Sequence, residues 1–322
     1  MTRTALRVAM RTHPYTEALK TGAVEVKGAA LEFVEVKPHI AAFRMMVREL
    51  AFDICDIAPT TYMIARAHGV PIIALPIFSV RRFHHEGIVV RPDAGIDTPK
   101  DLEGKRFGVR AYSVTTGVWK RGLLQNDYGV DIDKVTWFVD DEEHVEALKL
   151  PANVRHVAEG TSLAAMMSVG ELDAACTGDA GVGRVGKPGD KGSAPILPEN
   201  LRELFDDPDR RDREVYFRNG VYPIHGCLAV REELLRDNPD LAQAIYDACT
   251  AAKTPYLDAL RTGTATGKSA EKDYALMQIV GDDPVPYGLE ANRASVEALI
   301  RYSHQQGLIP QLYAPEEMFL PL

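Results

Sequence analysis

The chain has 322 residues and a mass of 35.5 kDa, with 46% hydrophobic residues, a formal net charge of −9 and a pI near 5.5. This composition is typical of a globular protein with one to three domains, and it excludes a disordered or fibrous chain. The negative charge argues against general nucleic-acid binding, which needs a basic surface, but it does not exclude a small cationic site.

Short apolar runs alternate with longer amphipathic segments from the N-terminus onward, which predicts an α/β fold. Strands are predicted at ALRVAM (5–10), LEFVEV (31–36), FDICDI (52–57) and PIIALPIF (71–78), with helices at IAAFRMMVREL (40–50) and TTYMIARAHG (60–69). After a Pro/Gly/Asp-rich stretch, the pattern restarts with strands at RFGVRAY (106–112) and KVTWFV (134–139) around a helix at TTGVWKRGLLQNDYG (115–129). Further on, GVGRVGKPGDKGSAP (181–195) predicts a surface loop, and the C-terminal part is mostly helical, including LEANRASVEALIRYSHQQG (289–307).

The restart of the pattern predicts two α/β halves. A short internal repeat supports the two halves, because MMVRELAFDICDIAPT resembles MMSVGELDAACTGDAG. In each copy an acid, Asp56 or Asp179, is expected in a turn after a short strand. We therefore predict a discontinuous first lobe at residues 1–90 plus 223–322 and a second lobe at 91–222. Hinge crossings are expected near residues 88 and 225, with a ligand cleft between the lobes.

The N-terminal sequence and the cysteines indicate in which cellular compartment the protein is expected. The N-terminal sequence MTRTALRVAMRTHPYT lacks the continuous apolar segment of a signal peptide, and no run of about 18 apolar residues occurs. A cytoplasmic protein with no membrane partner is therefore expected. The four cysteines lie far apart, which favours reduced thiols over a disulfide framework or a zinc site. They are Cys55, Cys176, Cys227 and Cys249.

Three strand–helix junctions carry residues suited to binding an anion: MRTHPYT, DIAPTTY and VRAYSVTTG. Helix N-termini at such junctions point N–H groups beyond the carboxyl ends of strands, and arginine or hydroxyl groups there bind carboxylates. Plain N-capping is the alternative for any single Ser or Thr. With additions from neighbouring segments, the predicted substrate-binding residues are Arg11, Thr60, Thr61, Arg82, Arg110, Tyr112, Thr115, Thr116 and Asp179.

The segment RRFHHEG (81–87) follows an apolar strand and contains two arginines and two histidines. If the strand continues, side chains alternate, so that Arg82 and His84 share one face while Phe83 and His85 share the other. Adjacent histidines on a strand do not easily chelate one metal. The sequence has no P-loop, H-E-x-x-H or G-x-S-x-G motif and no G-x-G-x-x-G after a predicted strand. No metal and no cofactor are predicted. A metal site assembled from single histidines, and an inert basic strand end, are the alternatives.

Several ordered segments resemble the 4,5-dihydroxyphthalate decarboxylase family. They are LRVAMRTHPYTEALKTG, FDICDIAPTTYMIARAHG, ALPIFSVRRFHHEGIVVR, DLEGKRFGVRAYSVTTGVWKRGLLQNDYGV, NGVYPIHGCLAVREELL and DDPVPYGLEANRASVEALIRYSHQQGL. The resemblance spans most of the chain and implies a two-lobed α/β fold similar to type II periplasmic binding proteins, with a central ligand cleft. It also implies a cofactor-independent carboxy-lyase of phthalate degradation, whose partner is a small aromatic carboxylate substrate.

For that reaction a histidine is the expected general acid, because its unperturbed pKa lies near neutrality. The candidates are His84 and His85, with His13 and His225 in support, while arginine would anchor a retained carboxylate. Two alternatives stay open: a solute-binding protein for a small aromatic or anionic ligand, and another lyase or hydrolase on the same scaffold. The identity of the aromatic acid and any assembly into homo-oligomers are also left open.

Overall fold

The computed structural model describes residues 4–183 and 199–322. Over these ranges the strands are β1 (Thr4–Ala9), β2 (Ala29–Phe33), β3 (Ile54–Ile57), β4 (Ile72–Arg81), β5 (Ile88–Val90), β6 (Arg106–Gly108), β7 (Thr136–Val139), β8 (Val154–His156), β9 (Ala174–Cys176), β10 (Arg202–Glu203) and β11 (Ile224–Arg231). The helices are α1 (Glu17–Lys20), α2 (Ile40–Glu49), α3 (Pro59–Ala67), α4 (Thr115–Tyr128), α5 (Leu163–Ser168), α6 (Pro208–Asn219), α7 (Glu232–Asp237), α8 (Leu241–Arg261), α9 (Lys268–Val280), α10 (Arg293–Gln305) and α11 (Pro315–Met318). The loop predicted at 181–195 lies, from residue 184 on, outside the described residues.

The chain divides into two compact units. Unit 1 comprises Met1–Arg81, Ile224–Glu297 and Tyr313–Leu322, and unit 2 comprises Arg82–Pro223 and Ala298–Leu312. Residues 82–90, 223 and 298–312 are predicted above to belong to the first lobe, but they lie in unit 2. The reason is hydrogen bonding: β5 pairs with β9 of unit 2, and Gln306 Oε1 accepts a hydrogen bond from Arg121 Nε of α4 at 2.8 Å.

Unit 1 is built on a sheet whose described strands run in the order β2-β1-β3-β11-β4. β1 pairs in parallel with β2 and β3, whereas β11 enters between β3 and β4 and is antiparallel to both. The core joins Leu6 and Ile54 of the sheet to Ile245 and Ala248 of α8. A strand that arrives from residue 224 thus separates two strands that follow each other in the sequence.

Unit 2 is built on a second sheet, whose described strands run in the order β10-β5-β9-β6-β7-β8. β6 pairs in parallel with β7 and β9, and β5 is antiparallel to β9. The strand predicted at 106–112 is shorter than expected and ends at Gly108. The chain leaves the sheet because the Arg110 N–H donates to Ala180 O at 2.8 Å, while the Arg110 carbonyl accepts from the amide of Asp141 at 2.9 Å.

Two helices that follow strands have the ends that local sequence predicts. α3 begins at Pro59, whose fixed φ suits the first helical position, and Gly69 follows the helix with φ +83°. α4 ends before Gly129, which has φ +68°. Both helices therefore place their threonine pairs, Thr60–Thr61 and Thr115–Thr116, in the first turn after a strand.

The described helices include none that is long and apolar enough to cross a bilayer. All four cysteines fall within the described residues, where each is buried and unpaired.

Candidate active site

Residues 82–87 were predicted to continue a strand, but they form none. β4 ends at Arg81, and β5 begins at Ile88. In between, the N–H groups of His84 and His85 both donate to Asp212 Oδ1 at 3.3 Å, so a carboxylate replaces the hydrogen bonds of a strand partner. Gly87 then turns the chain with φ +78°, and a side chain there would meet the Thr177 hydroxyl at 2.6 Å.

The even-numbered residues of this segment lie against α4. Arg82 Nη2 donates to Thr116 Oγ1 at 2.8 Å, and the His84 ring is stacked on Trp119 with 6.4 Å between centroids and 10° between planes. The Arg82 side chain is exposed, whereas His84 is 5% exposed. The structure therefore brings the predicted anchor and the predicted acid to one side of the segment, beside the first turns of a helix.

Lys120 makes a further contact between α4 and the segment 82–87. Its ammonium donates to the carbonyl of Glu86, and it follows Thr116 by four residues, so that both lie on one face of α4. Lys120 is 4% exposed, and burial lowers its pKa below the ordinary lysine value. Sequence reasoning missed it, because a lysine in a helix is usually solvated.

The odd-numbered residues of the segment have mainly other neighbours. Phe83 packs against Tyr222 and Tyr216, with ring centroids 5.1 and 6.0 Å away. His85 is 1% exposed and contacts the ring of Phe205. This side of the segment is therefore part of the interior of unit 2. The alternation of a strand is not kept at residues 84–85, because both histidines are buried, line one cavity and donate their N–H groups to the same carboxylate oxygen.

Both ring nitrogens of His85 make hydrogen bonds. Nδ1 donates to Asp212 Oδ1, because a carboxylate only accepts, and Nε2 then accepts from the Tyr128 hydroxyl at 2.9 Å. Burial raises the pKa of Tyr128 to about 12, so this hydroxyl keeps its proton at neutral pH. His85 cannot transfer a proton to a substrate without losing one of these bonds.

A cavity of about 30 Å³ lies beside the segment in unit 2. Its lining includes His84, His85, Trp119, Asp212 and Tyr302. This volume suits about one water molecule, whereas small-molecule sites usually occupy about 300 Å³ or more. The cavity as it stands is therefore too small for a substrate, and a ligand would reach His84 only if the side chains that line the cavity moved.

The amides predicted to bind an anion before α4 already hold a carboxylate of the chain itself. Glu143 accepts from the Tyr112 N–H at 2.6 Å and from the Ser113 N–H at 3.0 Å, and the Ser113 hydroxyl also donates to it. The Tyr112 ring is 2% exposed and lies 3.9 Å from the Arg121 guanidinium. Tyr112 is thus a core residue here, and an internal acid that the sequence analysis missed occupies these amides.

The other predicted residues of unit 2 have mixed surroundings. Arg110 and Thr115 are 5% and 3% exposed, respectively. Asp179 is exposed on a short 3₁₀ turn at Gly178–Ala180. The structure therefore does not gather all of these residues on one surface of unit 2.

In unit 1, Arg11 forms a bidentate pair with Asp56. Nε and Nη2 donate to the two carboxylate oxygens at 2.7 and 2.8 Å, and the Ser79 hydroxyl adds a third hydrogen bond at 2.6 Å. Burial by itself would raise the pKa of Asp56, but the charge and hydrogen bonds of Arg11, with that of Ser79, outweigh it and lower the pKa to about 2. Asp56 lies inside β3, 1% exposed, and not in a turn after the strand as predicted.

Gly226 is the residue that leaves room for this ion pair. A β-carbon there would lie 2.2 Å from Ser79 Oγ, 2.8 Å from Arg11 Nη2 and 3.1 Å from Asp56 Oδ1. The preceding residue, His225, is half-buried in β11. The close approach of β11 to the carboxylate therefore requires glycine.

His13 lies beside the same ion pair. Its ring is stacked on Tyr15 with 4.8 Å between centroids, and among the described residues its buried Nε2 has no hydrogen-bond partner. Burial lowers the pKa of His13 to about 4 against the opposing attraction of Asp56. The imidazole is therefore neutral at pH 7 and lacks the proton that a general acid must deliver.

The threonines of α3 are interior residues: Thr60 and Thr61 are 0% and 2% exposed.

Residues 4–183 and 199–322 contain no group of three or more His, Cys, Asp or Glu side chains that could hold a metal ion.

Comparison with known proteins identifies relatives along the whole chain. A family model described as "ABC transporter, phosphonate, periplasmic substrate-binding protein" matches residues 23–190. The 4,5-dihydroxyphthalate decarboxylase of Comamonas testosteroni is 30% identical over 334 residues, covering 100% of this chain and 98% of that protein. The protein of the same name from Pseudomonas putida is 35% identical over 182 residues, 54% of this chain and 70% of the other.

The fold is also that of a solved structure. The periplasmic aliphatic sulphonate binding protein SsuA from Escherichia coli matches with a TM-score of 0.53 and 13% identity, covering 99% of this chain and 98% of that one. At this identity the likeness concerns the fold alone. The predicted α/β fold of the type II periplasmic binding proteins, with two sheets, is confirmed.

Proposed function

Because the chain belongs to the 4,5-dihydroxyphthalate decarboxylase family, and also to the phosphonate-binding family whose model it matches, we propose that this enzyme decarboxylates a hydroxylated phthalate-type acid. The name of the curated relatives makes 4,5-dihydroxyphthalate the first substrate to test. The observation that carries the assignment to residues is the arrangement of Arg82, Thr116 and His84 along α4.

Arg82 is the proposed anchor for the carboxylate that the product retains. Its guanidinium has five N–H donors in a planar fork that matches a carboxylate, and its side chain is exposed. The hydrogen bond to Thr116 fixes one nitrogen of the fork in the first turn of α4, where the helix dipole also favours an anion. A retained carboxylate held there would orient the ring relative to His84.

His84 is the proposed general acid. Decarboxylation exchanges a ring carboxylate for a proton: the ring hydroxyl directs electron density to the carbon that bears the carboxylate, and the acid protonates that carbon. The carbon–carbon bond then breaks, its electron pair restores the aromatic ring, and CO₂ leaves as a neutral molecule. The product is the corresponding hydroxybenzoate, and solvent returns the proton to the imidazole.

The surroundings of His85 and His13 favour His84 over these two histidines for this role. His85 has both ring nitrogens in hydrogen bonds within unit 2. His13 is neutral at pH 7 because its pKa is about 4. His84 lies two residues after the proposed anchor and on the same side of the segment.

A second candidate function is binding of an anionic solute without turnover. The match of residues 23–190 to a model of periplasmic substrate-binding proteins favours it. A binding protein would hold the same carboxylates but would need no group that delivers a proton.

The test is incubation of the protein in D₂O with 4,5-dihydroxyphthalate and a panel of other hydroxylated phthalates and benzoates. We expect release of CO₂ and a product with one deuterium at the carbon that carried the carboxylate. Calorimetry with the same acids detects binding independently of turnover. Binding without CO₂ release would overturn the decarboxylase proposal and support the solute-binding function.

A further inference from the structure

Asp212 of α6 makes three hydrogen bonds to two adjacent residues. Its Oδ1 accepts the backbone N–H groups of His84 and His85, each at 3.3 Å, and the Nδ1–H of His85. These residues are separated from Asp212 by 128 and 127 positions in the chain, respectively. One oxygen atom thus holds the backbone of the segment that carries the proposed acid.

The groups around this carboxylate are buried. Asp212, His84 and His85 are 7%, 5% and 1% exposed, so water cannot replace a lost acceptor at low cost. Tyr128 holds the far side of the His85 ring through Nε2. The carboxylate therefore takes the place of a neighbouring strand in a segment that leaves the sheet.

We propose that Asp212 is a positioning residue for His84. It fixes the backbone at residues 84–85 and thereby keeps the His84 ring stacked on Trp119, on the same side as Arg82. Asp212 is not a proton relay to His84, because its hydrogen bond is to the amide of that residue and not to the ring. The inference rests on the proposed function in that it takes His84 as the acid.

Loss of the Asp212 carboxylate would affect the backbone N–H groups of His84 and His85, which donate to it. Without an acceptor, two buried N–H groups would be unsatisfied, and the segment would relax to hydrate them. The His84 ring would then leave its place on Trp119. A displacement of about 1 Å at a reacting group can reduce the rate about 100-fold, while substrate binding through Arg82 would persist.

The test compares Asp212→Ala with Asp212→Asn. All three hydrogen bonds use Oδ1, which an asparagine amide oxygen can reproduce. With 4,5-dihydroxyphthalate, we expect Asp212→Ala to lower kcat about 10- to 100-fold with KM nearly unchanged, and Asp212→Asn to restore most of kcat. Asp209→Ala is the matched control, since Asp209 is exposed on the same helix.

A second readout does not depend on activity. The chemical shifts of the His84 imidazole protons depend on the ring current of the neighbouring Trp119, and His84→Asn identifies these NMR signals among those of nine histidines. We expect these signals to move toward ordinary imidazole positions in Asp212→Ala and to return in Asp212→Asn. Signals unchanged in Asp212→Ala, or an unchanged kcat in an active protein, would overturn the proposal.

Two measurements decide the proposal if Asp212→Ala does not fold. In the wild-type protein, slow hydrogen exchange is expected at the amides of both His84 and His85, and fast exchange at either would contradict the inference. In His85→Phe, which keeps an aromatic ring beside Phe205, Asp212 still accepts the two amides, so the His84 signals are expected to stay in place. If no acid of the panel is turned over, the proposed function fails while the NMR and exchange results still test the role of Asp212.

Discussion

Arg11 in unit 1 and Arg82 in unit 2 are both cations at the ends of strands, but they differ in exposure and in their surroundings. Arg11 donates two hydrogen bonds to Asp56, which is 1% exposed and also accepts from Ser79. Arg82 is exposed, and one of its hydrogen bonds is to the hydroxyl of Thr116. The two arginines were predicted together as substrate-binding residues.

The difference in exposure indicates which arginine serves the interior of the fold and which lies at the surface where a ligand can reach it. Opening the pair between Arg11 and Asp56 would leave a buried carboxylate without its counter-ion, which costs several kcal/mol. We therefore expect the Arg11 cluster, defined as Arg11, Asp56, Ser79 and His13, to act mainly on stability. The segment 82–87 is expected to act mainly on turnover.

The largest effect is expected from His84→Asn. Loss of the general acid should lower kcat about 10²- to 10⁴-fold, with KM within a few-fold of wild type, because Arg82 still binds the carboxylate. Steady-state kinetics with 4,5-dihydroxyphthalate and a thermal melt are the measurements. A nearly normal kcat would exclude His84 and direct attention to His225.

His85→Asn is the adjacent control for that variant. Because His85 bonds Asp212 and Tyr128 in the interior, its loss should lower the free energy of unfolding by about 1–3 kcal/mol and change kcat less than His84→Asn does. A larger loss of kcat in His85→Asn than in His84→Asn would reverse the two assignments.

The next effect distinguishes the two arginines directly. Arg11→Met should lower the free energy of unfolding by about 3 kcal/mol, because Asp56 loses its counter-ion inside β3. Arg82→Met should leave stability within about 0.5 kcal/mol and raise KM about 10- to 100-fold. Urea unfolding and KM for both variants are the measurements, and a raised KM in a stable Arg11→Met protein would show that the comparison is wrong.

The smallest effect is a pH dependence in the Arg11 cluster. The pKa of His13 is about 4 in the folded protein against an ordinary value of 6.5, so the unfolded chain binds the proton first as the pH falls. Stability from this group is complete above pH 6.5 and decreases toward pH 4, by about 2 kcal/mol at pH 5.

His13→Gln should remove the part of the pH dependence of the free energy of unfolding that comes from His13. The pKa of Asp56 is about 2, below this window, and His39 titrates in both proteins, so the difference between wild type and variant isolates His13. Urea unfolding at several pH values between 4 and 7 measures it. Parallel curves for the two proteins would mean that His13 is not buried as described.

The helices and strands were largely predictable from local sequence. α4, predicted at 115–129, spans Thr115–Tyr128, and α2, predicted at 40–50, spans Ile40–Glu49. Their apolar periodicity and terminal glycines depend only on neighbouring residues. The strand predicted at 106–112 was too long, because distant loop groups bind the backbone from Arg110 onward.

The candidate site was predictable in part. Alternation along RRFHHEG grouped Arg82 with His84, and both side chains do contact α4, but the segment is not the continued strand on which that prediction depended. The acidic residues that bind the backbone amides near this site were not predicted from the sequence. Asp212 and Glu143 lie in charged stretches that are typical of solvated surfaces, and no local signal shows that each binds backbone amides.

The sequence by itself determined the α/β pattern, the family and the residue types from which an anchor and an acid could be chosen. Tertiary structure alone decided which charges are accessible and which are neutralised. It places β11, which begins at residue 224, between β3 and β4, and it brings Asp56 to Arg11 across 45 positions. The reason is that burial and hydrogen-bond partners depend on residues far apart in the chain, whereas propensity and periodicity depend only on neighbours.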